Sequence, residues 1–349
     1  MGFVPLGLKP ARVSEKGRDR LESVLTMNKG LYESAQAIVY DPVVSNRTAT
    51  RASLHAIGFR TVELSPSLEM LTESLKVKEP DLLVVEVSGA EAELCELMQS
   101  VRQGTLGKNP FIVMIATTWR RDGTIVGKVI NSGADDLVAR PFSTSVLGER
   151  IRAQVERRKG FVVTSDYIGP DRRRDPNRPG VESVDVPNSL KVRTDGLGDE
   201  EAALYIARLV EKAKEVLNAQ KVRRDAVQLC VQWRFLEQRN FGMRDFYDIL
   251  TRLAKIAGEI KRRIGGDKAQ AEAAGQLLDS IASSLQVIMA TNSRVEGGTG
   301  GPTPDFGPAL SQLGHAALSL GTMFAPDETT PTKLAEIEAT IARKQANAA

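Results

Sequence analysis

From Ala35 to Arg158 the chain alternates short, unbroken apolar runs with amphipathic stretches. The runs are Ala37–Tyr40, Leu82–Val85, Phe111–Ile115 and Asp136–Ala139, with a weaker one at Arg60–Leu64. Four or five apolar residues without a polar alternate suit a strand covered on both faces, and such strands belong to parallel sheets. The stretches between them predict helices over Arg47–Ile57, Leu68–Val77, Ala92–Arg102, Ile125–Ser132 and Ser143–Arg158. Gly58 and Gly133 stand just past two of these as stop signals. Five strands alternating with five helices predict an α/β fold over residues 34–158, a doubly wound five-stranded parallel sheet.

Past Asp199 the period becomes that of a helix. Ala203, Ile206, Val210, Ala213 and Leu217 step by threes and fours, as do Phe246 to Ile260 and Ala274 to Ile288. Ala226–Gln238 adds a further helix, and Ile264-Gly-Gly-Asp267 supplies a stop followed by an N-cap. These four helices predict an all-α helical bundle over residues 199–291. Its apolar stripes are a bundle core, or the seam of a homodimer if the helices are long. Residues 292–306, with Gly297-Gly-Thr-Gly-Gly-Pro-Thr-Pro304, read as a Gly/Pro linker, and 307–349 as two C-terminal helices, the second opening at Thr330-Pro331. Residues 1–33 mix Pro, Gly and alternating charges and read as an N-terminal arm with a hint of helix at Leu21–Leu31. Residues 159–198 scatter Gly and Pro and read as an Arg/Pro/Gly-rich linker.

Composition narrows the classes. The 349 residues are enough for two or three domains, and 42% apolar with 26% charged is ordinary globular usage. A net charge of +3 does not call for a nucleic-acid or membrane partner. Two cysteines and two histidines leave too few ligands for a four-ligand zinc site. No secretory leader pattern or membrane-length apolar stretch is present, so a reduced, cytoplasmic chain is expected.

In a doubly wound sheet, ligands gather where strand ends meet loops. Asp41, Glu86, Thr118 and Arg140 stand at those ends: two carboxylates, a hydroxyl and a cation. Alone, such residues fit either a phosphoryl or cation site or the polar rim common to this fold class. Their order and spacing add more: 45 positions from Asp41 to Glu86, then 32 to Thr118 and 22 to Arg140. With Asp41-Pro-Val-Val-Ser-Asn-Arg47, Pro80-Asp-Leu-Leu-Val-Val-Glu86 and Gly133-Ala-Asp-Asp-Leu-Val-Ala-Arg-Pro-Phe142, the stretch resembles the receiver domain of two-component response regulators. That resemblance implies a flavodoxin-like sheet and a phosphoacceptor at the Glu86 position. It further implies Mg²⁺ held by acids and a charge-compensating lysine at the Arg140 position.

The departures from that pattern set the functional expectation. Pro42 occupies the second acid position and offers no ligand, leaving Asp41 and Glu86 as a weak or lost Mg²⁺ site. Glu86 is one methylene longer than the aspartate the family uses. Arg140 brings a planar fork in place of a point charge. Leu137 stands where the family's aromatic switch residue would be. The expectation is a non-enzymatic pseudo-receiver without a cofactor. Glu86 would be paired to Arg140 near Thr118, and the protein would act through contacts with other signalling proteins. The alternative is a phosphorylatable regulator with a helical output domain.

Arg172, Arg173, Arg174 and Arg178 cluster in the 159–198 stretch. They fit a solvated linker paired with acidic faces, or an anion or nucleic-acid contact. Arg173-Arg174-Asp-Pro-Asn-Arg178 also resembles the arginine motif of PilZ-type cyclic di-GMP binders, but the β-barrel that should follow is missing. Neither nucleic acid nor a cyclic dinucleotide is the expected partner. Residues 199–291 hold no histidine for phosphotransfer, and His315 sits beside an apolar stripe. Lys221-Val-Arg-Arg224 is basic but lacks a following helix-turn-helix join.

Overall fold

The apolar runs become five strands: β1 (Gln36–Tyr40), β2 (Thr61–Ser65), β3 (Leu82–Glu86), β4 (Val113–Thr118) and β5 (Asp136–Ala139). In the computed structural model, which describes residues 30–120, 122–173, 182–238, 243–296 and 306–346, they pair in the order β2-β1-β3-β4-β5. Every pairing is parallel. The helices between them are α1 (Val44–Ile57), α2 (Leu68–Val77), α3 (Glu91–Arg102), α4 (Gly123–Asn131) and α5 (Thr144–Arg157). Alternate strand residues explain why the runs are apolar throughout. Leu83, Val85, Met114 and Ala116 pack on one face against Leu71, Leu75, Leu94, Met98 and Val129 of α2, α3 and α4. Leu82, Val84, Val113 and Ile115 pack on the other against Leu54 of α1 and Leu147 and Ile151 of α5.

Most elements shift by one to three residues at an end, and larger differences from the sequence reading also occur. The predicted strand at Phe111–Ile115 starts two residues later and runs to Thr118, because Asn109 Oδ1 accepts the Phe111 N–H and holds Asn109–Phe111 in a turn. At the end of the predicted arm, Tyr32 is buried and stacks on Phe59 with ring centroids 4.9 Å apart. Residues 1–29, with most of the helix hinted at Leu21–Leu31, lie outside the described residues. The predicted linker 159–198 carries structure instead. β6 (Phe161–Val163), β7 (Ile168–Pro170) and β8 (Ser183–Val184) form an antiparallel sheet in the order β7-β6-β8. The helix α6 (Ser189–Thr194) follows, capped by the Asn188 side chain on the Lys191 N–H. Pro170 is tolerated because β7 is an edge strand. Gly160 is required because a Cβ there would meet Ser183 Oγ at 2.5 Å and the Val184 carbonyl oxygen at 3.0 Å.

At the end of the sheet where β4 begins, Asp135 is a buried hub. Its Oδ1 accepts from Arg158 Nε at 2.9 Å, and its Oδ2 from Arg102 Nη2 at 2.7 Å and the Met114 N–H at 2.8 Å. Both arginines also donate to backbone carbonyls, Arg102 to Gly133, Pro110 and Ile112, and Arg158 to Phe111, Ile112 and Pro187. Burial pushes the Asp135 carboxyl up, but Arg158 and Arg102 outweigh it and hold the group below its ordinary value.

The helical region contains α7 (Asp199–Gln238), α8 (Met243–Arg263), α9 (Lys268–Glu296), α10 (Gly307–Phe324) and α11 (Pro331–Ala346). The two helices predicted within 199–238 are one helix of 40 residues. No Gly or Pro interrupts it, and the polar middle is closed by the i,i+4 pair Lys221–Asp225. Of the predicted linker 292–306, residues 292–296 belong to α9, and 297–305 lie outside the described residues. The C-terminal helices are not a separate piece. Leu310, Leu313, Ala317 and Leu320 share one core with Leu229, Leu253, Ile281 and Leu285. Small residues let α10 lie close to α7: a Cβ at Gly314 would meet the Trp233 ring at 2.3 Å, and one at Gly321 would meet Cys230 Sγ at 2.7 Å.

Two outcomes follow. Gly314→Ala lowers stability by about 1–3 kcal/mol through overpacking, whereas Gly275→Ala, whose Cβ meets nothing within 4 Å, raises it by about 0.5–1 kcal/mol. Thermal melts of the pair measure the contrast, and equal effects would contradict the close approach. Asp135→Asn costs about 3–5 kcal/mol at pH 7 by leaving two buried guanidinium groups short of a carboxylate. A carboxyl held low stabilises the fold above its unfolded pKa and loses that contribution as pH falls. The gap to wild type in urea unfolding therefore narrows as pH drops below about 4.

Candidate functional site

Because all five strands run the same way, their C-terminal ends share one edge. Asp41 lies just past β1, Glu86 ends β3, Thr117 and Thr118 end β4, and Arg140 follows β5. Asp41, Glu86 and Arg140 are 0%, 3% and 7% exposed, so three charged groups are buried together.

Arg140 joins them. Its Nε donates to Glu86 Oε2 at 2.6 Å, and its Nη2 to the Thr50 hydroxyl of α1 at 3.1 Å. The same Nη2 lies 3.1 Å from Asp41 Oδ2, close enough for charge attraction. The N–H does not aim at that oxygen, and Asp41 Oδ2 accepts no hydrogen bond among the described residues. The guanidinium carbon sits 4.7 Å from the centre of the Phe142 ring, a cation–π contact. Glu86 is held at both oxygens: Oε1 accepts the Ser88 N–H at 3.0 Å, and Oε2 accepts the Thr117 hydroxyl at 2.7 Å as well as Arg140. Asp41 Oδ1 accepts the Val43 N–H at 2.9 Å, and its carbonyl oxygen accepts from Arg47 Nη1. Burial raises the Asp41 carboxyl above its ordinary value. The Val43 N–H and Arg140 pull it down, and Glu86 adds to the rise.

Of the four strand-end residues read from the sequence, Asp41, Glu86 and Arg140 come together and Thr118 does not. The hydroxyl on Glu86 belongs to Thr117, because the β3–β4 register sets Glu86 beside Thr117 on one face of the sheet. Thr118 points to the other face. Its hydroxyl lies 3.3 Å from that of Ser88 and accepts the Arg120 N–H at 3.0 Å. Pro42 is exposed and has no donor atom to offer. Thr117 was missed, since a one-residue change of register exchanges the faces of a strand and sequence spacing alone does not fix it; Thr50 on α1 and Ser88 after β3 carry no strand-end signal at all.

Mg²⁺ is bound through one or two carboxylates and waters in octahedral array, and here the side-chain oxygens of Asp41 and Glu86 nearest Arg140 lie 3.1 and 2.6 Å from it. The guanidinium already stands between the two carboxylates.

The arginine cluster offers less than its sequence suggests. Arg173 forks onto Asp171, with Nη2 2.7 Å from Oδ2 and Nε 3.0 Å from Oδ1. Arg172 is among the described residues, while Arg174 and Arg178 lie outside them. The basic stretch at 221–224 is also engaged. Lys221 is buried against Asp225 and donates to the Ser165 carbonyl, and Arg223 and Arg224 both bind Glu328. Among the described residues, no helix is long and apolar enough to cross a membrane.

No protein-family model matches the chain. By sequence it is similar to the transcriptional regulatory protein CseB of Streptomyces coelicolor, 30% identical over 151 residues, 43% of this chain and 59% of that protein. The match thus spans about three-fifths of that relative's length. It is also similar to the KDP operon transcriptional regulatory protein KdpE of Escherichia coli, 26% identical over 182 residues, 50% of this chain and 72% of that protein. Solved structures similar to it include a response regulator from Thermotoga maritima, at 21% identity and a TM-score of 0.30 over 34% of this chain and 95% of the other. A receiver domain from Bermanella marisrubri shows 20% identity and a TM-score of 0.32 over 36% of this chain and 99% of the other. In its strand order, its motifs at their intervals and its two curated relatives, the α/β domain of this chain is similar to the receiver domains of response regulators. It departs from the family at the acceptor, acid-pair and lysine positions and is followed by helices of no recognised family.

Proposed function

We propose that this receiver is a pseudo-receiver: a non-enzymatic part of two-component signalling that binds partner proteins and does not carry phosphate. One observation carries the reading. The Arg140 guanidinium is bonded to Glu86 at 2.6 Å and stands 3.1 Å from Asp41 inside a buried crevice. An acceptor carboxylate has to present a free oxygen to phosphorus with room for the phosphoryl oxygens. Here both Glu86 oxygens are engaged, and the space beyond them holds a cation tethered to β5.

The contact surface lies at the same edge. Val43 and Val44 after β1 and Trp119 after β4 are half exposed or more, and apolar groups at the mouth of a closed crevice suit a protein partner. The printed names of the two curated relatives concern transcription. For this chain, the engaged basic stretch at 221–224 favours protein contact over DNA contact.

Trp119 stands beside the crevice, because its backbone N–H donates to Ser88 Oγ at 3.0 Å and the Ser88 backbone N–H donates to Glu86 Oε1. Wild-type protein given Mg²⁺ with beryllofluoride or acetyl phosphate shows no change in tryptophan fluorescence and no phosphoryl mass gain. Mg²⁺-dependent modification would contradict the reading. Glu86→Asp alone gains neither response, whereas Pro42→Asp, Glu86→Asp and Arg140→Lys together gain a saturable Mg²⁺ response. Arg140→Ala, which strands two buried carboxylates, lowers stability by about 3–5 kcal/mol in urea unfolding. A loss below about 1 kcal/mol, the level of an exposed pair, would mean the ion pair is not closed in solution.

A further inference from the structure

A cavity of about 660 Å³ opens in the helical region between the middle of α7, the α8–α9 turn and the end of α10. That size falls within the range of small-molecule sites, roughly 300–1,000 Å³, and the space between packed helices is a common place for one. Its floor is apolar: Val222 is buried, and Ile264, Met323 and Phe324 pack against the same core. The charges of the lining are already engaged within the protein. Arg263, its side chain 1% exposed, donates through Nε to Glu259 Oε2 at 3.1 Å and through Nη1 to Asn218 Oδ1 at 2.8 Å. Arg223 is held by Glu328 at 2.8 Å. Glu215 stands at an exposed helix position, where water solvates it. A charged group on a ligand would leave water here with no unpaired buried charge to meet it, so an uncharged ligand is favoured.

What the lining offers is a neutral donor. A guanidinium has no acceptor atom, so Arg263 fixes the Asn218 side chain with its oxygen toward the cation and its amide nitrogen turned away. That Asn218 N–H₂ group makes no hydrogen bond among the described residues, and Asn218 lines the space. The α8–α9 turn leaves the space open, since a Cβ on Gly265 or Gly266 would meet nothing within 4 Å. Gly266 has φ +91°, which favours glycine. An apolar floor, self-paired charges and one oriented amide donor describe a site for a molecule that is apolar along its body and carries an acceptor oxygen.

We propose that this cavity binds an uncharged small molecule with an apolar body and a carbonyl-type oxygen. The body lies on Val222, Met323 and Phe324, and the oxygen accepts from Asn218 Nδ2. The site shares no residue with the receiver crevice.

The test uses the full-length chain and naphthalene dyes that differ in charge and in acceptor. They are 6-propionyl-2-dimethylaminonaphthalene, a neutral ketone, N-phenyl-1-naphthylamine, neutral and without a carbonyl, and 1-anilinonaphthalene-8-sulfonate, an anion. The ketone binds saturably at one per chain, and the anion binds about tenfold more weakly or worse. Ala219→Phe, at an exposed helix position lining the cavity, fills the space and cuts the affinity of both neutral dyes at least about tenfold. Asn218→Asp keeps an oxygen for Arg263 but removes the donor, so it weakens the ketone about fivefold or more and leaves the naphthylamine unchanged. Both variants keep the wild-type circular dichroism spectrum, so lost binding is not lost folding. Absent or unsaturable binding of the ketone, or binding untouched by Ala219→Phe, overturns the site. An anion bound as tightly as the ketone overturns the preference for uncharged ligands, and equal losses for the two neutral dyes in Asn218→Asp overturn the contact with the amide.

Discussion

Burying one cation among two carboxylates is the constraint on which the receiver depends. Each charged group taken out of water costs several kcal/mol, and that cost is offset only where an opposite charge and hydrogen bonds replace the lost solvent. Arg140 provides this for Glu86, and in part for Asp41. To do so it reaches from the end of β5 to β3, to Thr50 on α1 and, through Glu86, to Thr117 on β4. The crevice edge of the sheet is thereby tied by one side chain. A lysine is a point charge on a flexible stem that could swing toward a phosphoryl oxygen. The arginine fork spreads its charge over several fixed directions, two of which are occupied here. In the reading proposed above, the same geometry that stabilises the strand ends keeps the acceptor position closed.

The opposite end of the sheet is built the other way round, with one carboxylate and two guanidinium groups. Asp135 gathers Arg102 from α3 and Arg158 from just past α5, and both arginines extend to backbone carbonyls around the start of β4. No ligand chemistry is needed to account for that cluster, because its donors end on backbone oxygens and on the one acid. At the crevice, by contrast, Asp41 keeps an oxygen that accepts no hydrogen bond among the described residues. Ion pairing therefore secures both ends of the sheet, with both Asp135 oxygens engaged at one and an Asp41 oxygen that accepts no hydrogen bond among the described residues at the other.

How much of this was legible in the sequence depended on length scale. Unbroken apolar runs are specific enough to give the five strands and their helices, and Glu86 and Arg140 were readable because strand ends are fixed by where each run stops. The partner hydroxyl was not, since choosing Thr117 over Thr118 needs the register between two strands. The sheet of β6, β7 and β8 was invisible because strands of two or three residues show no period. The polar stretch around Lys221–Asp225 looked like a break between helices, yet its charges close on one another along a single helix. The joining of α10 to the rest of the bundle rested on Gly314 and Gly321, residues that in a sequence read equally as helix breakers or as points of close contact.

The closed state of the Arg140–Glu86 pair is measured most directly by the Arg140 Nε–Hε signal in a ¹H–¹⁵N NMR spectrum of the full chain. A proton held in a buried 2.6 Å bond to a carboxylate gives a sharp, downfield, slowly exchanging resonance, and the account predicts that millimolar Mg²⁺ with beryllofluoride leaves it in place. Loss, broadening or a large shift of that resonance on adding the two together would show the pair opening for a phosphoryl group, and would contradict the account.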